Sequence, residues 1–156
     1  MISPQPPTAS ARIYADDLQV GRRYELDQYT ITEDELVAFA SAWDPQDFHI
    51  DGDAARSGAF DGLIASGIHT LAIYQRLAVT KTFATWSVIA GRRLDDVRFL
   101  RPVRPDDTLT GTIDIVDVVL EPARGRGLVI TDAELVNQYG DPVLRARVEA
   151  YVRTRP

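Results

Sequence analysis

The chain has 156 residues, a formal net charge of −6, no cysteine and two histidines. That length suits one domain, and the negative charge argues against a dedicated nucleic-acid binder. Without cysteine there is no disulfide, no thiolate chemistry and no cysteine-built zinc site; with only His49 and His69 left as soft ligands, no metal is expected.

Residues 1–12 are rich in Ser, Pro and Thr and read as a frayed tail, with 13–156 as a single domain. Residues 1–11 lack the basic start and apolar core of a signal peptide. No apolar run reaches the length of a membrane span, about 18 residues. A cytoplasmic protein is the expectation. After a lead-in loop over 14–20 and a turn at Gly21, residues 23–31 partly alternate and predict a half-buried strand. Thr32 followed by Glu35 is a capping-box pattern, and Leu36, Val37, Phe39, Ala40 and Trp43 have helical spacing. A helix is predicted over Glu33–Trp43. It stops at Asp44-Pro45, because the residue before proline is pushed out of the helical region. Asp44 therefore sits on an irregular turn from which its carboxylate can face a cleft.

His49 follows five positions later. Asp51 reads as the cap of a short helix running to Arg56, with contact to the site as the alternative. Gly58, Gly62 and Gly67 punctuate the next loop. A helix over 67–83 carries apolar residues on several faces, as a buried central helix needs. Five strands are then predicted, over 87–90, 93–99, 108–119, 128–137 and 143–152, with turns at 101–107, 121–127 and 138–142. One long apolar helix followed by consecutive antiparallel strands is an α+β plan.

The chemistry concentrates between residues 43 and 70. Asp44, His49 and the helix N-terminus at Ser66-Gly67 supply a proton acceptor, a proton donor and a place for developing negative charge. An Asp/His pair five apart is a weak signal alone, since a turn-capping Asp and a surface His give the same pattern. Ser66 can cap the helix, contact substrate, or both. His69 reads as a satisfied buried or rim histidine rather than a catalyst.

Three segments carry a resemblance. They are Asp44-Pro45-Gln46-Asp47-Phe48-His49, then Gly62-Leu63-Ile64-Ala65-Ser66-Gly67, then the run from Val97-Arg98-Phe99-Leu100-Arg101-Pro102 to Asp106-Asp107-Thr108. In order and spacing they resemble the MaoC-like, or (R)-specific enoyl-CoA hydratase, family. Its motif is Asp-x-Asn-Pro-x-His, followed by Gly-x-x-x-x-(His or Ser)-Gly at the start of the central helix. The resemblance covers roughly residues 15–153. It implies the hot-dog fold, a curved antiparallel sheet around a central helix. The implied reaction is hydration or dehydration of 2-enoyl and 3-hydroxyacyl thioesters, with a CoA or phosphopantetheine thioester as substrate and no further cofactor. It implies Asp44 and His49 as catalytic residues and Gly67, Ser66 and Gln46 as substrate-binding ones. It also implies a homodimer, with a heteromeric partner of the same fold as the other arrangement.

The chain departs from the pattern in three places. Gln46 stands for Asn, Asp47 stands for Pro, and Ala72 occupies the apparent place of a substrate-positioning serine. Asp47 puts a negative charge beside the pair, which hampers proton transfer if it faces inward and is harmless if it faces out. These departures keep open a non-catalytic acyl-thioester-binding subunit. A hot-dog thioesterase is disfavoured, because 66–85 contains no Asp or Glu. Arg92, Arg93, Arg98, Arg101, Arg104, Arg124 and Arg126 are candidates for phosphate contact, or simply decorate a solvent face. Trp43, Phe48, Phe60, Tyr74 and Trp86 shape an acyl pocket or fill the core.

Overall fold

The computed structural model describes residues 11–156. The expected tail over 1–12 lies outside the described residues except for Ala11 and Arg12.

The capping box at Thr32 forms as the sequence predicts. Thr32 Oγ1 accepts from the Glu35 N–H at 3.2 Å, and Glu35 Oε2 accepts from the Thr32 N–H at 3.1 Å. Helix α1 spans Glu33–Trp43 and buries Leu36 and Ala40. Two short helices follow, α2 over Asp47–Ile50 and α3 over Gly52–Arg56. Asp51 caps α3, accepting from the N–H groups of Asp53 and Ala54. The central helix α4 spans Gly67–Lys81, shorter than predicted, and Phe83–Thr85 forms a separate 3-10 turn.

The predicted strand over 23–31 is two pieces, β1 (Arg23–Glu25) and β2 (Tyr29–Thr30), which pair β4 (Thr108–Glu121) at separate places. The reason is parity. Leu26 and Ile31 are both buried, yet five residues apart they would face opposite sides of one unbroken strand. Leaving the ladder between them lets both reach the core. The two strands predicted over 87–90 and 93–99 are one, β3 (Val88–Phe99), which keeps pairing through three irregularities instead of turning. At the last of these Asp96 has φ +49°, a conformation Asp tolerates better than most residues. The turn expected over 121–127 tightens to Pro122–Gly125, and β5 begins at Arg126 and runs to Val136. Strand β6 spans Pro142–Arg153.

The strands form one antiparallel sheet in the order β1-β4-β5-β6-β3, with β2 also on β4. Along β5 every second residue is buried, which gives the sheet an inner and an outer face. The inner face joins Ile73, Tyr74, Leu77 and Ala78 of α4 in one apolar cluster with Ile113, Leu135 and Leu144. This is the hot-dog fold. A second cluster around Trp86, Ile115 and Val152 holds the lead-in segment. The outer face carries ion pairs such as Arg23–Asp114 and Arg147–Asp132, both at 2.7 Å. They are solvent-exposed, so each adds little stability. Trp43 corrects an expectation: it is 76 % exposed and belongs neither to core nor to cleft. It is the last residue of α1, past the point where that helix meets the core. Among the described residues no helix is long and apolar enough to cross a membrane.

Candidate active site

The end of α1 delivers Asp44, α2 delivers His49, and the N-terminus of α4 delivers Ser66 and Gly67. Asp44 takes the C-cap position with φ −153° and ψ 68°, outside the helical region as its following proline requires. His49 is buried on α2.

The carboxylate of Asp44 is held on both oxygens. Ser66 Oγ donates to Oδ2 at 2.7 Å, and Gln46 Nε2 donates to Oδ1 at 2.8 Å. These two hydrogen bonds, with the nearby His49 imidazole, hold the Asp44 carboxyl below its ordinary range against a smaller opposing effect of burial. Asp44 is therefore ionised at neutral pH. Ser66 also caps α4, accepting from the Ile68 N–H at 3.3 Å, so the capping role expected of it is filled, and its hydroxyl proton goes to Asp44.

His49 has its ring fixed from behind. Its Nδ1 lies 2.6 Å from the Ile64 carbonyl oxygen. A carbonyl can only accept, so Nδ1 carries a proton, and in the neutral ring Nε2 is bare. That bare nitrogen is 3.4 Å from Asp44 Oδ2. Two acceptors at this distance do not bond each other. They can jointly bind the two hydrogens of one water.

Beside the pair lies a cleft of about 190 Å³, lined by His49 and Gly67 with Phe60, Thr70, Phe99 and Val103 among its walls. Gly67 is the first residue of α4, so its N–H has no intrahelical acceptor and sits at the positive end of the helix dipole. From sequence, glycine here gives a substrate room to approach. The structure adds a packing reason: a Cβ at Gly67 would lie 2.8 Å from the Phe99 ring.

All five residues singled out from sequence meet here: Asp44, His49, Gln46, Ser66 and Gly67. Asp47 is exposed. Ala72 is exposed as well, so the helix position facing the cleft is Thr70 instead. Thr70 was legible in principle, because it lies four residues after Ser66 on the same helix face. The Ile64 carbonyl had no sequence signal, since any residue supplies one. His69 is buried as expected but not satisfied. Its ring stacks on Phe39 with centroids 4.3 Å apart, and its Nδ1 has no hydrogen-bond partner. Of the seven arginines, only Arg101 lines the cleft. Arg104 bonds the Phe60 carbonyl, and Arg92, Arg93, Arg98 and Arg126 pair with neighbouring carboxylates. The solvent-face reading holds for Arg92, Arg93 and Arg98, whereas Arg126 is half-buried over the Tyr151 ring. Tyr74 and Trp86 are core residues, whereas Phe60 borders the cleft.

The MaoC-like domain family matches residues 17–137. The chain belongs to that family. A MaoC-like dehydratase from Rhodospirillum rubrum superimposes with a TM-score of 0.86 at 34% identity, covering 92% of this chain and 99% of that one. A protein of Archaeoglobus fulgidus described as a monoamine oxidase regulatory protein gives 0.87 at 31% identity, covering 95% and 99%. YdeM of Bacillus subtilis, described as uncharacterized, is 35% identical over 102 residues, 65% of this chain and 72% of its own. In general terms this MaoC-like chain is a hydratase or dehydratase.

Proposed function

We propose that this MaoC-like protein adds water to 2-enoyl thioesters, and removes it from 3-hydroxyacyl thioesters, with Asp44 and His49 as the reacting pair. The observation that carries this reading is His49 Nε2 facing the ionised Asp44 across 3.4 Å, with His49 at the edge of a mostly apolar cleft. Between them one water is held with its oxygen free to attack.

In the hydration direction the water oxygen bonds the β-carbon while His49 Nε2 takes one of its protons. The double-bond electrons move through the α-carbon onto the thioester oxygen, giving an enolate. That oxygen receives the Gly67 N–H, a donor of a kind typically worth about 2.7–4 kcal/mol of barrier. Asp44 stabilises the imidazolium. The proton on Nε2 then passes to the α-carbon, the carbonyl reforms, and His49 is neutral again. One water has been added and both residues are restored. Ser66 and Gln46 hold Asp44 in place, and the substrate is a CoA or carrier-protein thioester.

A homodimer goes with this reading. Among the described residues β3 pairs only with β6, leaving its other edge unpaired, and Leu94 and Phe99 are exposed along it. A second copy, or another chain of the same fold, would cover that edge.

The test is hydration of crotonyl-CoA followed at the enoyl-thioester absorbance, for wild type beside Asp44→Asn and His49→Ala. Turnover that collapses in both variants, with folding intact by circular dichroism, supports the pair. Turnover surviving in both moves the chemistry elsewhere. CoA-ester binding without any wild-type turnover would favour the acyl-binding subunit.

A further inference from the structure

Arg101 has no part in the chemistry above, yet it lines the cleft that holds His49 and Gly67. No Lys, Asp or Glu lines that cleft, and most of its other walls are apolar. The arginines nearby in the sheet are tied to carboxylates. Arg92 pairs with Glu149, Arg93 with Asp95, Arg98 with Asp96, Arg145 with Glu134 and Arg147 with Asp132. Among the described residues Arg101 has no such partner, and residues 1–10 contain no Asp or Glu to supply one. Its Nη1 donates to the Pro142 carbonyl oxygen at 3.3 Å. That bond uses one of the five guanidinium donors and leaves the positive charge uncompensated.

An unpaired arginine on open surface would call for no explanation. Arg101 is built into a wall. On one side of it the Leu100 N–H donates to the Val143 carbonyl at 2.9 Å, and on the other the Ala65 N–H donates to the Val103 carbonyl at 2.8 Å. Val143, Ala65 and Val103 line the same cleft. Pro102 restricts the backbone between the two bonds. Arg101 is exposed, so an incoming ligand can reach it. Gly67 brings the positive end of the α4 dipole to this cleft as well. With nothing acidic on the walls to offset these two, the field in the cleft favours an anion. A mostly apolar site with one fixed charge draws its specificity from that charge.

We infer that Arg101 holds a negatively charged oxygen group of the substrate and makes this protein select thioesters that carry one. This rests on the proposed acyl-thioester site and names a specificity residue for it. A guanidinium grips a carboxylate and a phosphate by the same paired hydrogen bonds. The group is therefore a carboxylate on the acyl chain or a phosphate on the thiol carrier.

Three 2-enoyl thioesters separate the sources. Crotonyl-N-acetylcysteamine carries no charge, crotonyl-CoA carries phosphates only, and the N-acetylcysteamine monothioester of fumaric acid carries an acyl carboxylate only. Wild type, Arg101→Gln and Arg101→Lys are assayed on all three, each checked for folding by circular dichroism, with Arg98→Gln as the control outside the cleft. In parallel, butyryl-CoA and the N-acetylcysteamine thioesters of butyric and succinic acid are titrated by calorimetry. These cannot be hydrated, so failure of the hydratase reading leaves this readout intact. In Arg101→Gln the ratio of kcat/KM, or of affinity, for a charged thioester over the neutral one is expected to fall by about tenfold or more, the worth of a charge-assisted hydrogen bond. Arg101→Lys restores part of it, and Arg98→Gln keeps the wild-type ratio. A fall with the fumaric and succinic thioesters alone assigns the anion to the acyl chain, and one with the CoA thioesters alone assigns it to phosphate. Equal losses on charged and neutral thioesters overturn the inference, because they mark a structural role. So does an Arg101→Gln protein that folds and keeps the wild-type ratios, and so does calorimetry in which wild type binds the charged compounds no more tightly than Arg101→Gln does.

Discussion

The two histidines of this chain lie in similar burial and very different company. His49 and His69 are both more than nine-tenths buried. The first has a carbonyl behind Nδ1 and a clamped carboxylate before Nε2. The second has an aromatic ring against its face and nothing on Nδ1. The comparison teaches that burial alone does not make a histidine reactive. What matters is a partner that fixes the tautomer, because only then is the other nitrogen a bare base in a known direction.

The sharpest way to break that comparison is to treat both histidines alike. His49→Gln is expected to lower kcat for crotonyl-CoA by about 10²–10⁴, the usual worth of a positioned acid–base group. His69→Gln should lose far less. Equal losses in the two variants would mean that the site is organised differently from the account above.

The next effect falls on the helix N-terminus. Gly67→Ala puts a methyl group into the Phe99 ring. Overpacking of this kind costs about 1–3 kcal/mol, and the displaced ring disturbs the cleft next to the oxyanion donor. A lower melting temperature and a kcat/KM reduced on the order of tenfold (about 1.4 kcal/mol) are expected. Part of each loss should return in Gly67→Ala combined with Phe99→Leu.

Ser66→Ala removes both a helix cap and a donor to Asp44, for an expected loss of about 0.5–2 kcal/mol by denaturant melting at pH 7. The sign of its pH dependence follows from the Asp44 carboxyl. Its folded pKa lies below the ordinary 3.8, so its stabilising contribution is present above that value and lost as the pH falls through the folded pKa. The gap between wild type and Ser66→Ala should therefore narrow in strong acid.

The smallest effect belongs to His69. Burial pushes its pKa below the ordinary 6.5, opposed by Glu35. The unfolded chain takes up that proton at a higher pH than the fold does. Stability is thus full above about pH 6.5 and falls as the pH drops below it. His69→Leu is expected to leave turnover at pH 7 unchanged within about twofold, about 0.4 kcal/mol. Its melting temperature should fall less than that of wild type between pH 7 and pH 5. A steeper fall in the variant would contradict the burial of a neutral His69.

Much of this arrangement was legible in the sequence where local rules govern it. The capping box at Thr32 and the proline after Asp44 fixed both ends of α1. Asp51 and Ser66 announced the starts of α3 and α4. The gathering of Asp44, His49 and Gly67 came from the resemblance, since nothing in a spacing of five says that two side chains face each other. The Ser66–Asp44 bond spans 22 residues, and the Ile64 carbonyl is a backbone group, so neither leaves a local trace. The strand errors have one cause. Bulges and breaks preserve pairing while shifting the inside–outside alternation, so β3 looked like two strands and β1 with β2 looked like one. Trp43 misled because helical spacing does not say where the core ends.

The contact between Gly67 and Phe99 reaches further than its size suggests. It ties the first residue of α4 to the last of β3, so the first cannot gain a side chain during evolution unless the second gives way. A relative with a larger residue at the first should carry a smaller one at the second. The two positions then behave as a single inherited unit, and a library that randomises them together should recover functional pairs that no single-site library contains.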